Sequence, residues 1–197
     1  MYKISIIFFL STLYSFAHAE SLFTYTPPKS GAPSGRLGGG TRGIDIDIFN
    51  ITLIAPQYIA FTSQSQPKFY WYLVQEKQKI VKFTLFREGS IQPLLEKKLL
   101  SNTKTKLQSL NLRDYGIFLN EGEEYYWSVT IIDSGTKKTN MASAIFQYKS
   151  IPTPLLTSKK LAKGYWYDEL QKLIEAQSPL TNDFLKQSNI NVKLLNY

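Results

Sequence analysis

The chain has 197 residues, enough for one domain with or without an appendage, and its 43% hydrophobic content is near the globular norm, so disorder is not the default reading. It contains no cysteine, which excludes disulfides, thiolate metal sites and a lipid anchor on a leader cysteine. The formal charge of +8 comes from basic residues spread along the chain.

Residues 1–19 read as a secretory signal peptide. Lys3 gives the basic start, Ile4 to Phe16 the apolar run, and Ala17-His18-Ala19 the small-x-small cleavage site. The run is shorter than the roughly 20 apolar residues of a bilayer span. No later segment is apolar enough to cross, so no transmembrane span is expected after cleavage. The mature protein then starts at Glu20 and is exported, to the periplasm or beyond. The one histidine, His18, leaves with the leader. A mature chain without His or Cys excludes Ser-His-Asp and Cys-His catalysis, imidazole zinc sites and His-held haem. The expectation is a protein that is not an enzyme, with no cofactor and no metal.

Residues 20–43 read as an irregular arm, with Pro27, Pro28 and Pro33 and six of the 11 glycines. From 44 to 150 the pattern is β. "IDIDIF" alternates Ile44, Ile46 and Ile48 with Asp45 and Asp47. "NITLIAP", "YIAFT", the aromatic "KFYWYLV" and "IVKFTLFRE" follow, with a turn at Glu88-Gly89-Ser90. Then come "IQPLLEKKLL", broken by Pro93, "TKLQSLNL", the clear alternation of "EYYWSVTIID", and "ASAIFQYKS". Seven or so short strands separated by turn residues predict an antiparallel β-sandwich of fibronectin-III or immunoglobulin-like type.

Leu119, Gly122 and Tyr125 resemble the tyrosine corner that opens strand F of such sandwiches. Phe69, Trp71 or both would then be the core aromatics of strand C.

Residues 151–197 read as a Pro-broken linker and a helical appendage. From about Ser158, Ala162, Trp166, Leu170, Leu173 and Ile174 form one apolar stripe. Asp168 and Lys172 form an i,i+4 pair on the other side. Ser178-Pro179 ends this helix, and Thr181 caps a shorter one containing Phe184 and Leu185. Two helices this short bury little between themselves, so the stripe packs on the sandwich or on a partner.

"GRLGGGTRG" contains the spacing G-x-G-x-x-G of dinucleotide loops at Gly38, Gly40 and Gly43. That motif needs a strand before it and a helix after it, and here a Pro-rich arm precedes and a strand follows. It reads instead as a tether or a loop lying against the sheet, from which Arg36 and Arg42 reach carboxylates or phosphates. Asp45 and Asp47, about 7 Å apart by strand rise, can bind calcium or serve a glycosidase, but read first as a charged edge strand. Glu121, Glu123 and Glu124 belong to the corner turn. In "GYWYDEL", Tyr165 and Tyr167 fall off the stripe and are candidate exposed rings for a sugar or a protein partner. The lysines read as solvated loops and strand faces, with attraction to anionic polymers or lipid headgroups as the functional alternative. Export makes nucleic acid an unexpected partner.

"APSGRLGGGTRG" (residues 32–43) and "GYWYDEL" (residues 164–170), with "FYWYLV" and "LNEGEEYYW" between them, resemble an exported family known as domain of unknown function 928. The resemblance spans nearly the whole mature chain. It implies a Gly-rich arm, a β-rich region and a Gly-x-Trp-Tyr-Asp helix, and it implies no activity and no catalytic residues. Relatives with a cysteine just after the arm and another after Tyr-x-Trp correspond to Ile44 and Ile132 here, which implies an apolar contact in place of a disulfide.

The sequence thus predicts a non-catalytic exported module that binds another envelope or secreted protein, or an anionic polymer or glycan. A carbohydrate-binding module is the first alternative, and a glycosidase using paired carboxylates the second.

Overall fold

Alternation along two aromatic strands sets the core. In β4 (Lys68–Leu73), Phe69, Trp71 and Leu73 turn inward; in β8 (Glu124–Ile132), Tyr125, Trp127, Val129 and Ile131 do the same. The computed structural model describes residues 36–38, 51–74, 78–132, 139–151 and 165–190. Among these the protein is mainly β, with two sheets and two short C-terminal helices.

The smaller sheet has the order β2-β4-β7, with β2 (Ile51–Leu53) and β7 (Leu107–Asn111) both antiparallel to β4. The larger has the order β1-β9-β8-β5-β6. Its strands are β1 (Arg36–Gly38), β5 (Ile80–Arg87), β6 (Leu95–Leu100), β8 and β9 (Thr139–Tyr148). β3 (Ala60–Thr62) also joins it, parallel to the end of β9, beyond the stretch of β9 that β1 covers antiparallel. β6 begins only after Pro93, whose missing N–H keeps it out of the ladder. Gly89, at φ +73°, supplies the left-handed residue of the β5–β6 turn.

The sheets face each other through rings. Phe69 lies 4.8 Å from Trp127, 5.1 Å from Phe146 and 5.6 Å from Phe83, centroid to centroid. Such pairs add about 0.5–1.5 kcal/mol each beyond area burial. The expected strand C placement of Phe69 and Trp71 is corrected here, strand C being the neighbour of strand F in fibronectin-III and immunoglobulin-like sandwiches. The neighbour of β8 is β5, whereas Phe69 and Trp71 lie on β4 in the opposite sheet. Both strands are aromatic, and period alone cannot assign them to sheets.

The corner forms as expected. Tyr125 Oη accepts from the Asn120 N–H at 2.7 Å and donates back to the Asn120 carbonyl at 3.4 Å. Gly122, at φ +83°, makes the turn between them.

α1 (Trp166–Glu175) packs its stripe on β3 and β4, and α2 (Thr181–Gln187) covers α1. Two boundaries differ from the expectation. Among the described residues α1 starts at Trp166, and residues 152–164 lie outside them. Thr181 is the first helical residue of α2 and not its cap; its hydroxyl turns back to the Ser178 carbonyl at 2.7 Å and the Leu173 carbonyl at 3.3 Å, tying the helices together. "IDIDIF", Ile44 with its expected contact to Ile132, and Asp45 and Asp47 lie outside the described residues.

Candidate functional site

Each side chain of the motif Tyr165-Trp166-Tyr167-Asp168 finds a polar partner within the fold. Tyr165 Oη donates to the Ser150 carbonyl at 3.2 Å, just past the end of β9. Trp166 Nε1 donates to Ser188 Oγ at 2.7 Å, and its indole stacks on Phe184 at 5.5 Å. Tyr167 Oη accepts from Trp127 Nε1 at 3.1 Å, with its ring edge-on to Phe69 at 5.9 Å and against Phe146 at 5.4 Å. Asp168 Oδ1 accepts from Thr62 Oγ1 at 2.6 Å; Oδ2 accepts from the Ser63 N–H at 2.8 Å and from Ser63 Oγ. Further along α1, Gln64 Nε2 donates to Gln171 Oε1 at 3.1 Å, and Lys68 pairs with Glu175 at 3.7 Å.

Two sequence readings of this motif are therefore corrected. Tyr167 is 2% exposed and belongs to the core between the sheets. Asp168 is buried on β3 and does not pair with Lys172, which lies 3.8 Å from Glu169 instead. A helical wheel assigns one buried stripe. The first turn of α1 enters a notch formed by β3, β9 and α2, so consecutive residues are buried on all sides. Tyr165 is half-buried, its ring 6.5 Å from Phe61. Burial, then the charges of Asp168 and Glu121, push its hydroxyl above the usual phenol range.

The remaining candidates separate. The backbone of Arg36 is fixed in β1 opposite Ala144, so the arm is pinned to the sheet at this point. Arg42 lies outside the described residues. The corner glutamates knit the fold: Glu121 accepts from the Ser150 N–H at 3.2 Å, and Glu123 pairs with Arg87 at 3.4 Å. Glu124 faces Glu88. Burial first, then the hydrogen bond and charge of Glu88, hold Glu124 above the ordinary carboxylate range. Among the described residues, no group of three or more His, Cys, Asp or Glu side chains converges as a metal site.

A family model described as Domain of Unknown Function (DUF928) matches residues 37–196, from β1 past α2. The chain belongs to the DUF928 family. No curated protein matches this DUF928 chain. Two solved structures are similar over part of it. One, described as "Myokine structure", is 14% identical, with a TM-score of 0.29, covering 60% of this chain and 99% of that one. The other is a complex of Zinc 2-glycoprotein and Prolactin inducible protein from human seminal plasma. It is 9% identical, with a TM-score of 0.33, covering 55% of this chain and 100% of that one.

The fold of this DUF928 protein sorts its surface in a way that the linear sequence conceals. β5 ends and β8 begins at one pole, where Glu88, Asp114, Glu121, Glu123 and Glu124 stand beside Arg87 and Arg113. β4 ends and β5 begins at the other. There the Leu73 N–H donates to the Lys106 carbonyl, the Ser101 N–H donates to the Lys79 carbonyl, and the Lys79 N–H donates to Ser101 Oγ. This second pole carries Lys79, Lys104 and Lys106, drawn from separate stretches of sequence.

Proposed function

We propose that this DUF928 protein is an exported, non-catalytic binding module on a fibronectin-III or immunoglobulin-like sandwich, and that it engages a protein partner by strand addition at β6. Strand order supports the sandwich type. With β1 and β3 set aside, the first, second and fifth strands share one sheet, and the third, fourth, sixth and seventh share the other. Strands A, B and E and strands C, C′, F and G divide this way in fibronectin-III domains. The tyrosine corner opens β8, in the place of F.

The observation that carries the partner reading is the edge of β6, which is open among the described residues. This strand ends the path of the larger sheet, and aliphatic side chains flank it: Ile91 is 92% exposed and Leu94 39%. An unpaired edge offers a row of N–H and C=O groups to an incoming strand, and flanking apolar positions select its side chains.

The test is affinity capture from envelope extracts with the processed protein and with Ile91→Glu/Leu94→Glu. Stoichiometric retention of one protein, lost in the variant, is the expected result. Retention of glycan alone, or of the protein by both baits equally, overturns the reading; the first outcome favours a carbohydrate-binding module.

A further inference from the structure

We propose that the lysine-bearing pole, at the end of the molecule away from the corner, docks on a bilayer surface of anionic lipid. The argument starts from strand register. Leu100, Ile80 and Ile132 lie side by side across β6, β5 and β8 and form an apolar row at the tip of the outer sheet face. Leu100 is 67% exposed, and Ile80 is exposed as well. Val74, also exposed, adds a fourth aliphatic side chain from the end of β4.

Two residues further from the tip, Lys98 and Lys82 stand opposite each other on β6 and β5. Strand rise puts that rung about 7 Å behind the apolar one. Interfacial segments bury their apolar side chains about 5–10 Å into the headgroup boundary, with the cations left at phosphate level. The spacing of the two rungs fits that depth.

Like charges opposed on neighbouring strands destabilise a sheet. Glu96, 3.4 Å from Lys82, relieves only one of the pair. Among the described residues Lys98, Lys104 and Lys106 have no carboxylate partner, so three cations near the tip are uncompensated.

The loop bearing two of them is held in shape. Gln108 has a buried side chain that accepts from the Asn102 N–H at 2.8 Å and donates to the Asn102 and Thr105 carbonyls at 2.9 and 2.5 Å. Ser101, also buried, accepts from the Lys79 N–H at 2.8 Å. Lysines on a pinned loop lose little backbone entropy on docking. Lysine suits a fluid array of phosphates, because it acts as a point charge and demands no planar bidentate partner.

The surface lies at the opposite end of β5 from Ile91 and Leu94, so strand addition there and membrane docking here can fail separately. The experiment is co-sedimentation of the processed protein with vesicles of phosphatidylcholine alone and of phosphatidylcholine with about 30% phosphatidylglycerol. The expected result is partition onto the anionic vesicles only, lost at high salt.

Lys98→Gln/Lys104→Gln/Lys106→Gln is expected to weaken that partition about a hundredfold, roughly fivefold for each charge lost. Leu100→Ser is expected to weaken it several-fold at constant salt. Arg113→Glu, at the opposite pole, is expected to leave it unchanged. Far-UV spectra of each variant establish that the fold is intact. Equal partition of the triple variant and wild type overturns the proposal. So does an equal loss with Arg113→Glu, or indifference to Leu100→Ser, which leaves only non-specific polyanion attraction.

Discussion

Glu124 and Glu88 meet where β8 begins and β5 has just ended, and the Glu88 N–H donates to the Glu124 carbonyl at 2.9 Å. Tyr126 Oη also reaches Glu88 Oε1 at 3.4 Å. Two carboxylates held this close ionise less readily together than apart, and partial burial adds to the effect on Glu124. With its folded value raised above the unfolded one, Glu124 binds more protons in the native state. Its contribution to stability is therefore complete below the ordinary glutamate range and is lost as pH rises through the raised value. Thermal unfolding of wild type and Glu124→Gln from pH 4 to 7 checks this. Wild type is expected to lose more stability across that window than the variant, and parallel curves would rule it out. At this scale the sequence is readable where chemistry is local. The Leu-x-x-Gly-x-x-Tyr spacing encodes the corner, because all its partners lie within six residues. Asp168 and Tyr167 were unreadable, because their partners Thr62, Ser63 and Trp127 are 40 or more positions away.

α1 is the element whose placement depends most on single contacts. Its first turn carries no side-chain cap, and the Asp168 carboxylate, in that turn, is turned to β3 instead. Thr62 is fully buried; its hydroxyl donates to Asp168 and accepts from the Gln64 N–H at 3.2 Å, so the carboxylate also fixes the exit of β3. Asp168→Ala leaves these donors without an acceptor in a site with little water. Hydrogen bonds to a charged group contribute about 1.5–3 kcal/mol each, and they are not additive here because they share one carboxylate. The expected loss is about 3 kcal/mol by denaturant titration, with amide exchange in α1 rising more than in β8. A loss below about 1 kcal/mol, the range of surface pairs, would show that the contact is peripheral. The strands themselves were legible, because period-2 alternation and Gly or Pro punctuation survive in a single sequence. Their assignment to sheets was not. β4 and β5 are both aromatic, and what separates them is pairing partners distant in the chain.

At the scale of the molecule, one core joins both parts of the chain. Trp166, Tyr167 and Leu170 belong to the same buried cluster as Phe69, Trp127 and Phe146. A division at residue 150 into a β-domain and an appendage describes the sequence pattern. It does not describe the packing, in which Tyr167 packs against both Phe69 and Phe146 and satisfies the indole of Trp127. Removing residues 152–197 would strip the Tyr167 ring from that cluster. Loss of one large aromatic from a core costs about 3–5 kcal/mol, and the buried indole N–H left unpaired about 1–3 more. A domain of this size has about 5–15 kcal/mol in total. The truncated chain is therefore expected to lack a sharp transition and to bind a hydrophobic dye in buffer. The intact protein is expected to unfold in one step, with tryptophan fluorescence and far-UV ellipticity superimposed, because indoles on both sides of residue 150 report on the same cluster. A truncated chain that melts sharply within a few degrees of the intact one would show that the helices are an ornament on a self-sufficient pair of sheets.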